Sequence, residues 1–266
     1  RLAFSETAYY DAVISNYFNK FNNIDFPKRK ILYTNLIENL RYGENPHQIG
    51  AFYSQNKRNK LEQIHGKTLS YNNYSDIFAA LTISKSLPKN TGTVIVKHGN
   101  PCGVSAIKNN LDSYKSALET DPISAFGGIV SCNYKITQKL ASMLNKIFLE
   151  VIVANGFDKK ALKILKSKKN LRLIDSSKIT FDEVWKFNSL DNFTLIQSED
   201  KKKISKKDFE IVSKKKPSKK QLDNLMFAFN VCRYTKSNAI VLSSNKSTIG
   251  IGSGQPSRLG SCEIAI

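Results

Sequence analysis

The sequence predicts a layered α/β protein. Short apolar runs such as Val94-Ile95-Val96 alternate with segments whose apolar residues recur at helical spacing. A chain of 266 residues with 41% hydrophobic content is long and apolar enough for a sizeable core. The octet Val96-Lys97-His98-Gly99-Asn100-Pro101-Cys102-Gly103 then sets a Lys-His pair at the end of a strand signal, where Asn-Pro and the glycines break it. Ligands bind at such strand ends in open α/β sheets, so the octet is the first candidate site.

Thr7 to Phe18 reads as a helix, with Tyr10, Ile14, Tyr17 and Phe18 near one face. Pro27 and Lys28-Arg29-Lys30 lead out of it, and Ile31 to Asn39 is apolar enough for a strand. Helices are then expected at Asp76–Leu87, Leu111–Leu118, Thr137–Ile147 and Lys159–Leu165. Strands are expected between them, at Thr93–Lys97, Gly128–Ser131, Glu150–Ala154 and Leu171–Ile174. Near Ser176 the pattern weakens and a lysine-rich segment follows, which suggests a boundary between substructures. Beyond it, Lys219–Cys232 reads as a helix, and Ala239–Ser243 and Ser247–Ile251 as strands joined by the Asn245-Lys246 turn. The block Gly250-Ile251-Gly252-Ser253-Gly254 contains G-x-G-x-G, but with no clear helix after it a dinucleotide fingerprint is not expected.

Composition removes several classes. No apolar run approaches the roughly 18 residues of a membrane helix. Cys102, Cys132, Cys232 and Cys262 are widely spaced, without a C-x-x-C pair, which argues against a zinc site and a disulfide framework and for a reducing cytosol. Cys102 and His98 are too close along a turn to form a Cys-His nucleophile pair. The net charge of +19 invites a nucleic-acid reading, yet the lysines cluster in Lys201-Lys202-Lys203, Lys206-Lys207, Lys214-Lys215-Lys216 and Lys219-Lys220 with few aromatics to stack on bases. Such runs are usually solvated faces, and their charge attracts small anions as readily as DNA. A first residue Arg1 and an apolar end, Glu263-Ile264-Ala265-Ile266, give the chain the look of an internal fragment.

The octet has company. Upstream stand Leu40-Arg41-Tyr42-Gly43-Glu44-Asn45-Pro46-His47-Gln48 and Gly66-Lys67-Thr68-Leu69-Ser70-Tyr71-Asn72-Asn73. Downstream are Asp121-Pro122-Ile123-Ser124-Ala125-Phe126-Gly127-Gly128, Arg233-Tyr234-Thr235-Lys236-Ser237-Asn238, and the glycine block running to Arg258. In this order and spacing the blocks closely resemble the bifunctional purine-biosynthesis family that joins AICAR formyltransferase to IMP cyclohydrolase. The opening Ala3-Phe4-Ser5-Glu6-Thr7-Ala8-Tyr9-Tyr10-Asp11 resembles the end of its cyclohydrolase domain. The resemblance implies cytidine-deaminase-like layered α/β subdomains, one complete and the second partial. Residues 1–25 would be the tail of the cyclohydrolase domain, 26–180 the first formyltransferase subdomain, and 181–266 a connection and the start of the second. It further implies a homodimer with composite sites, 10-formyltetrahydrofolate as co-substrate and no metal, nucleic acid or membrane partner.

The implied reaction moves a formyl group from 10-formyltetrahydrofolate to the 5-amino group of AICAR, whose lone pair is delocalised into the ring. Such an amine must lose its proton as it attacks, and the formyl oxygen must be supported as charge grows on it. His98 suits the first task, because an imidazole nitrogen can accept a proton. Lys97 suits the second, or protonates the departing folate nitrogen. Adjacent strand residues face opposite ways, so both reach one substrate only if the strand has ended at Lys97.

By resemblance, Arg41 and Tyr42 contact the nucleotide, where a guanidinium and a phenol suit phosphate; as a bare dipeptide before a glycine turn they read as structural. Asn73 matches an AICAR contact, while Asn72-Asn73 equally reads as a helix cap before Asp76. Ile123, Ser124 and Gly127 match a loop touching folate and nucleotide, though Gly127-Gly128 alone says only that the turn is tight. Glu150 aligns with an acidic site residue, otherwise a solvated strand start. Asn238 has an amide able to orient a carboxamide or formyl oxygen, and Arg258 closes the glycine block. His47 and His65 read as structural. Two other classes stand beside the enzyme: a basic nucleic-acid-binding module, carried by charge alone, and an inactive interaction remnant.

Overall fold

The computed structural model describes residues 1–55, 61–181, 185–200, 202 and 204–266, which form two compact units, Arg1–Lys60 and Leu61–Ile266. In the first, α1 (Leu2–Phe21) is followed by β1 (Asn35–Leu40) and β2 (Gly50–Ser54), an antiparallel pair with an irregularity between Leu36 and Glu38. Asn16 Nδ2 donates to the Ile31 carbonyl at 3.1 Å, and Tyr9 meets Tyr33 edge to face at 5.6 Å, so helix and connection are tied by side chains. The expected strand at Ile31–Asn39 thus starts later.

The second unit runs β3 (Glu62–His65), α2 (Tyr71–Ser86), β4 (Thr93–Lys97), β5 (Asn100–Ser105), α3 (Asn110–Thr120), α4 (Pro122–Ala125), β6 (Ile129–Cys132), α5 (Gln138–Leu144) and β7 (Val151–Ala154). It continues through α6 (Lys159–Leu165), β8 (Arg172–Asp175), β9 (Trp185–Leu190), β10 (Phe193–Ser198), α7 (Lys219–Cys232), β11 (Ile240–Ser244), β12 (Ser247–Gly252) and α8 (Arg258–Ala265). Strands β9 and β10 make a separate hairpin. The others form one eight-stranded mixed sheet in the order β11-β12-β5-β4-β6-β7-β8-β3. Among the described strands, β6, β7 and β8 pair in parallel, and α5 and α6 are their crossovers.

Strand alternation sends side chains to two core layers. Val94, Val96, Val151, Val153 and Ile174 pack against α2 and α7, with Ile77, Leu81, Ile83, Phe227 and Val231. Ile95, Val130, Ile152 and Leu173 pack on the opposite face, with Tyr114, Leu140, Leu144 and Leu165 of α3, α5 and α6. Fully burying one such side chain contributes about 1.5–3 kcal/mol, so both faces of the central strands stabilise the sheet. That is the layered α/β architecture the alternation predicts.

Three readings of local sequence change. Asn100-Pro101 does not break the chain but begins β5, which pairs back on β4 across a turn of His98 and Gly99 alone. Helix α2 starts at Tyr71, five residues before the expected Asp76, because Ser70 accepts from Asn73 N while the Asn73 side chain accepts from Ser70 N. A helix does follow the glycine block: Ser257 caps α8, and Gly250 and Gly252 let it lie directly on β12. A Cβ at either glycine would stand 1.8 Å from a carbonyl oxygen of α8, so these glycines serve helix-on-strand contact rather than a dinucleotide.

Among the described residues no helix is long and apolar enough to cross a membrane. Lys201 and Lys203 of the lysine runs lie outside the described residues.

Candidate active site

The site is built around the β4–β5 turn. Lys97 pairs with Asn100, leaving His98 and Gly99 as a two-residue loop with φ of 52° and 74°. Positive φ at both positions is what a type I′ hairpin turn needs; glycine adopts it freely, and histidine more often than most residues. The strand therefore ends at Lys97, as joint action of Lys97 and His98 requires. His98 is exposed and Lys97 half-buried.

The turn and the strand end beside it are held from two other elements. The Asp76 carboxylate on α2 accepts the Gly99 N–H at 2.6 Å and the His98 N–H at 3.3 Å. Burial raises the Asp76 pKa above the ordinary carboxylate value; the two backbone N–H groups and the charge of His98 oppose that shift, and Glu150 adds to it. Lys97 Nζ donates to the Phe126 carbonyl at 2.7 Å, tying the strand end to the 121–128 loop. There Asp121 caps α4 by accepting from Ser124 N, and Gly127, at φ 72°, donates its N–H to the Phe148 carbonyl at 2.9 Å. Ile123 is 86% exposed, and the partly exposed rings of Phe126, three residues on, and Phe148 lie 5.3 Å apart, giving this rim an apolar surface.

Asn73 does two jobs. Its oxygen completes the α2 capping box, and its Nδ2 donates to Glu150 Oε2 at 2.8 Å. Arg172 approaches the same Glu150 oxygen at 3.7 Å while its Nε donates to the Thr68 carbonyl. Glu150 is therefore a fixed, paired carboxylate rather than a free strand-end charge.

The glycine block reaches the turn through Asn100. Its Oδ1 accepts from Lys236 N at 3.2 Å, and the Lys236 carbonyl accepts from Gly254 N at 2.7 Å. Asn238 Nδ2 donates to the carbonyls of Gln255 and Pro256 at 3.1 and 3.0 Å. Only an amide nitrogen can face two carbonyls, so the group turned elsewhere is its oxygen, an acceptor. Arg258 is exposed as the first residue of α8.

One connected set thus holds Lys97, His98, Asn73, Ser124, Gly127 and Glu150, with Asn238 joined to it through Lys236 and Asn100. Arg41 and Tyr42 belong to the first unit, where Arg41 Nη2 donates to the Tyr42 hydroxyl at 3.1 Å. His65 Nε2 lies 3.3 Å from the Lys168 carbonyl, a structural contact. The thiol of Cys102 is pushed up to about 12, by burial first and then by Asp121, which leaves it no nucleophilic role. Asp76, Arg172 and Asn100 are the members that sequence reasoning passed over. Asp76 stands one helical turn after Asn73, and that i, i+3 spacing was the signal available. No group of three or more His, Cys, Asp and Glu side chains gathers as metal ligands among the described residues.

The sequence profile of the family described as "AICARFT/IMPCHase bienzyme" matches residues 1–266, the whole chain. The chain belongs to this family. Among its curated relatives, the bifunctional purine biosynthesis protein PurH of Oceanobacillus iheyensis is 40% identical over 270 residues, covering 99% of this chain and 52% of the relative. Those of Leptospira biflexa and Aquifex aeolicus are 44% and 40% identical, over 98% and 99% of this chain and 51% and 52% of theirs. This AICARFT/IMPCHase chain therefore spans about half the length of the curated relatives it matches.

Proposed function

We propose that this chain carries the formyl-transfer chemistry of its family: transfer of the formyl group of 10-formyltetrahydrofolate to the 5-amino group of AICAR, within a protein whose other activity closes the product to IMP. The observation that carries the reading is the β4–β5 turn, which ends the strand at Lys97 and presents two titratable side chains at one strand end. His98 takes the proton of the attacking amine. Lys97, whose ammonium already serves one carbonyl oxygen, supports the growing charge on the formyl oxygen or protonates the departing folate nitrogen. Asn73 and the paired Glu150 bound the nucleotide side, and the apolar rim of Ile123, with Ser124 and Gly127, meets the folate. Asn238 contributes an acceptor rather than a donor, which suits the amine or carboxamide N–H of AICAR. Arg41, Tyr42 and Arg258 bind phosphate and neighbouring polar groups.

Residues 1–25 in this reading are the end of the cyclohydrolase domain, 26–180 the first formyltransferase subdomain with its cytidine-deaminase-like layers, and 181–266 a connection and the start of the second. The protein works in the cytoplasm as a homodimer, and the exposed Phe4, Tyr10, Tyr17, Phe18 and Phe21 of α1 supply apolar surface for burial against further protein. The test is direct: the longest form of the protein that carries this chain, given AICAR and 10-formyltetrahydrofolate, forms formylated AICAR and tetrahydrofolate in equal amounts. Absence of that product from a folded, nucleotide-binding protein would defeat the reading.

A further inference from the structure

We propose that Asp76 is the positioning residue for His98, the side chain that sets where the base stands. The inference rests on the reading of His98 as general base and adds a residue to it. In a two-residue hairpin turn the N–H groups of the loop residues have no partner across the ladder, and water usually takes them. Here one carboxylate accepts both, Gly99 N–H at 2.6 Å and His98 N–H at 3.3 Å. His98 is held at φ 52°, a conformation that a side chain with a Cβ adopts at some cost and keeps only where its surroundings impose it.

What imposes it is rigid. Asp76 sits on α2, rooted by the Ser70–Asn73 capping box and by Ile77, Ala80 and Leu81 in the core. Half-burying a carboxylate opposes its ionisation, so a mere turn brace would be served as well by a neutral acceptor or by solvent. The same helix, one turn earlier, fixes Glu150 through Asn73 at 2.8 Å. Helix α2 thus locates both the base and the acidic group of the site relative to one another. Catalysis by a base depends on its placement to within about an ångström, and a misplacement of that size costs up to roughly a hundredfold in rate.

The experiment compares Asp76→Asn, Asp76→Ala, Asp76→Glu and His98→Ala in the longest form of the protein carrying this chain, by steady-state formyl transfer and thermal unfolding. Asp76→Asn keeps the volume but presents one acceptor and one N–H donor to two N–H groups. The expected result is a kcat lower by about tenfold to a hundredfold, with KM for both substrates within about twofold. The melting temperature stays near that of the parent, and Asp76→Glu, which restores two acceptors, recovers part of kcat. Wild-type kcat in Asp76→Asn beside an inactive His98→Ala overturns the proposal and leaves His98 as base. Parallel losses in kcat, KM and melting temperature, with no recovery in Asp76→Glu, also overturn it, because they describe a structural residue. Wild-type turnover in His98→Ala defeats the underlying reading whatever the Asp76 variants do. Should Asp76→Ala not fold, the isosteric Asp76→Asn carries the comparison.

Discussion

Cys102 and His98 are four residues apart and face opposite fates. Cys102 lies in β5, its Sγ 3.6 Å from the Ile95 carbonyl, and the surrounding protein holds its thiol protonated up to about pH 12. A raised pKa in the folded state means that its contribution to stability is fully present below the unfolded value near 9.0 and is lost as pH rises toward 12. Iodoacetamide at pH 8 should therefore leave Cys102 unmodified in the native protein and label it in urea, read by peptide mass; rapid native labelling would contradict this placement. His98, in contrast, stands outside the ladder in a turn. At this scale the sequence was informative about the Lys97-His98 pair, because two titratable residues beside a Gly-Asn-Pro stretch mark a strand end. For Asp76 the sequence offered only its spacing from Asn73, since its two bonds join a helix to a turn more than twenty residues away in sequence.

At the scale of elements, the strands buried on both faces were the clearest. Val94-Ile95-Val96 and Val151-Ile152-Val153 have no polar side to confuse their period, and both fall in the middle of the sheet. Strand β5 was obscured by Pro101 and two flanking polar or small residues, although proline is tolerated there beside the turn, where the pairing with β4 is irregular between Ile95 and Val96. Helix α8 was hidden by the glycines that precede it, which read as loop until its contact with β12 is seen. That contact makes a sharp prediction. Gly250→Ala puts a methyl 1.8 Å from the Ala265 carbonyl oxygen, so α8 must move. The expected loss is about 1–3 kcal/mol in denaturant unfolding, the range for overpacking a fitted contact. In the core layer formed with α3, α5 and α6, Leu140→Ala leaves a cavity under α5 and should cost about 2–5 kcal/mol. An unchanged unfolding midpoint in either variant would show that these contacts do not hold the second unit together.

At the scale of the whole molecule, charge and partners dominate. Ten of the 41 Lys and Arg residues lie between 201 and 220, and there Lys206 pairs with Asp223 while the Arg233 guanidinium binds the Asp200 carboxylate at 3.2 Å and the Lys202 carbonyl at 3.1 Å, so part of the positive charge behind the net +19 is neutralised within the protein. Any retention on oligonucleotides should be independent of sequence and disappear as salt rises through about 0.15 M, which a titration at several ionic strengths measures; sequence-selective binding that survives such salt would favour the nucleic-acid reading instead. Family membership was legible because the motif blocks keep their order over the whole chain, whereas the division at Lys60 was marked only by the short polar run from Gln55 to Lys60, with no proline or glycine.

The reading of the site turns on His98, and single-turnover formyl transfer by His98→Ala in the longest form of the protein tests it most directly. The transfer rate should fall by about two to four orders of magnitude, the usual worth of a general base, while AICAR binding measured by calorimetry and the melting temperature stay close to the parent values. Transfer at the parent rate, with folding and binding unchanged, would show that another group, Lys97 first among them, removes the proton.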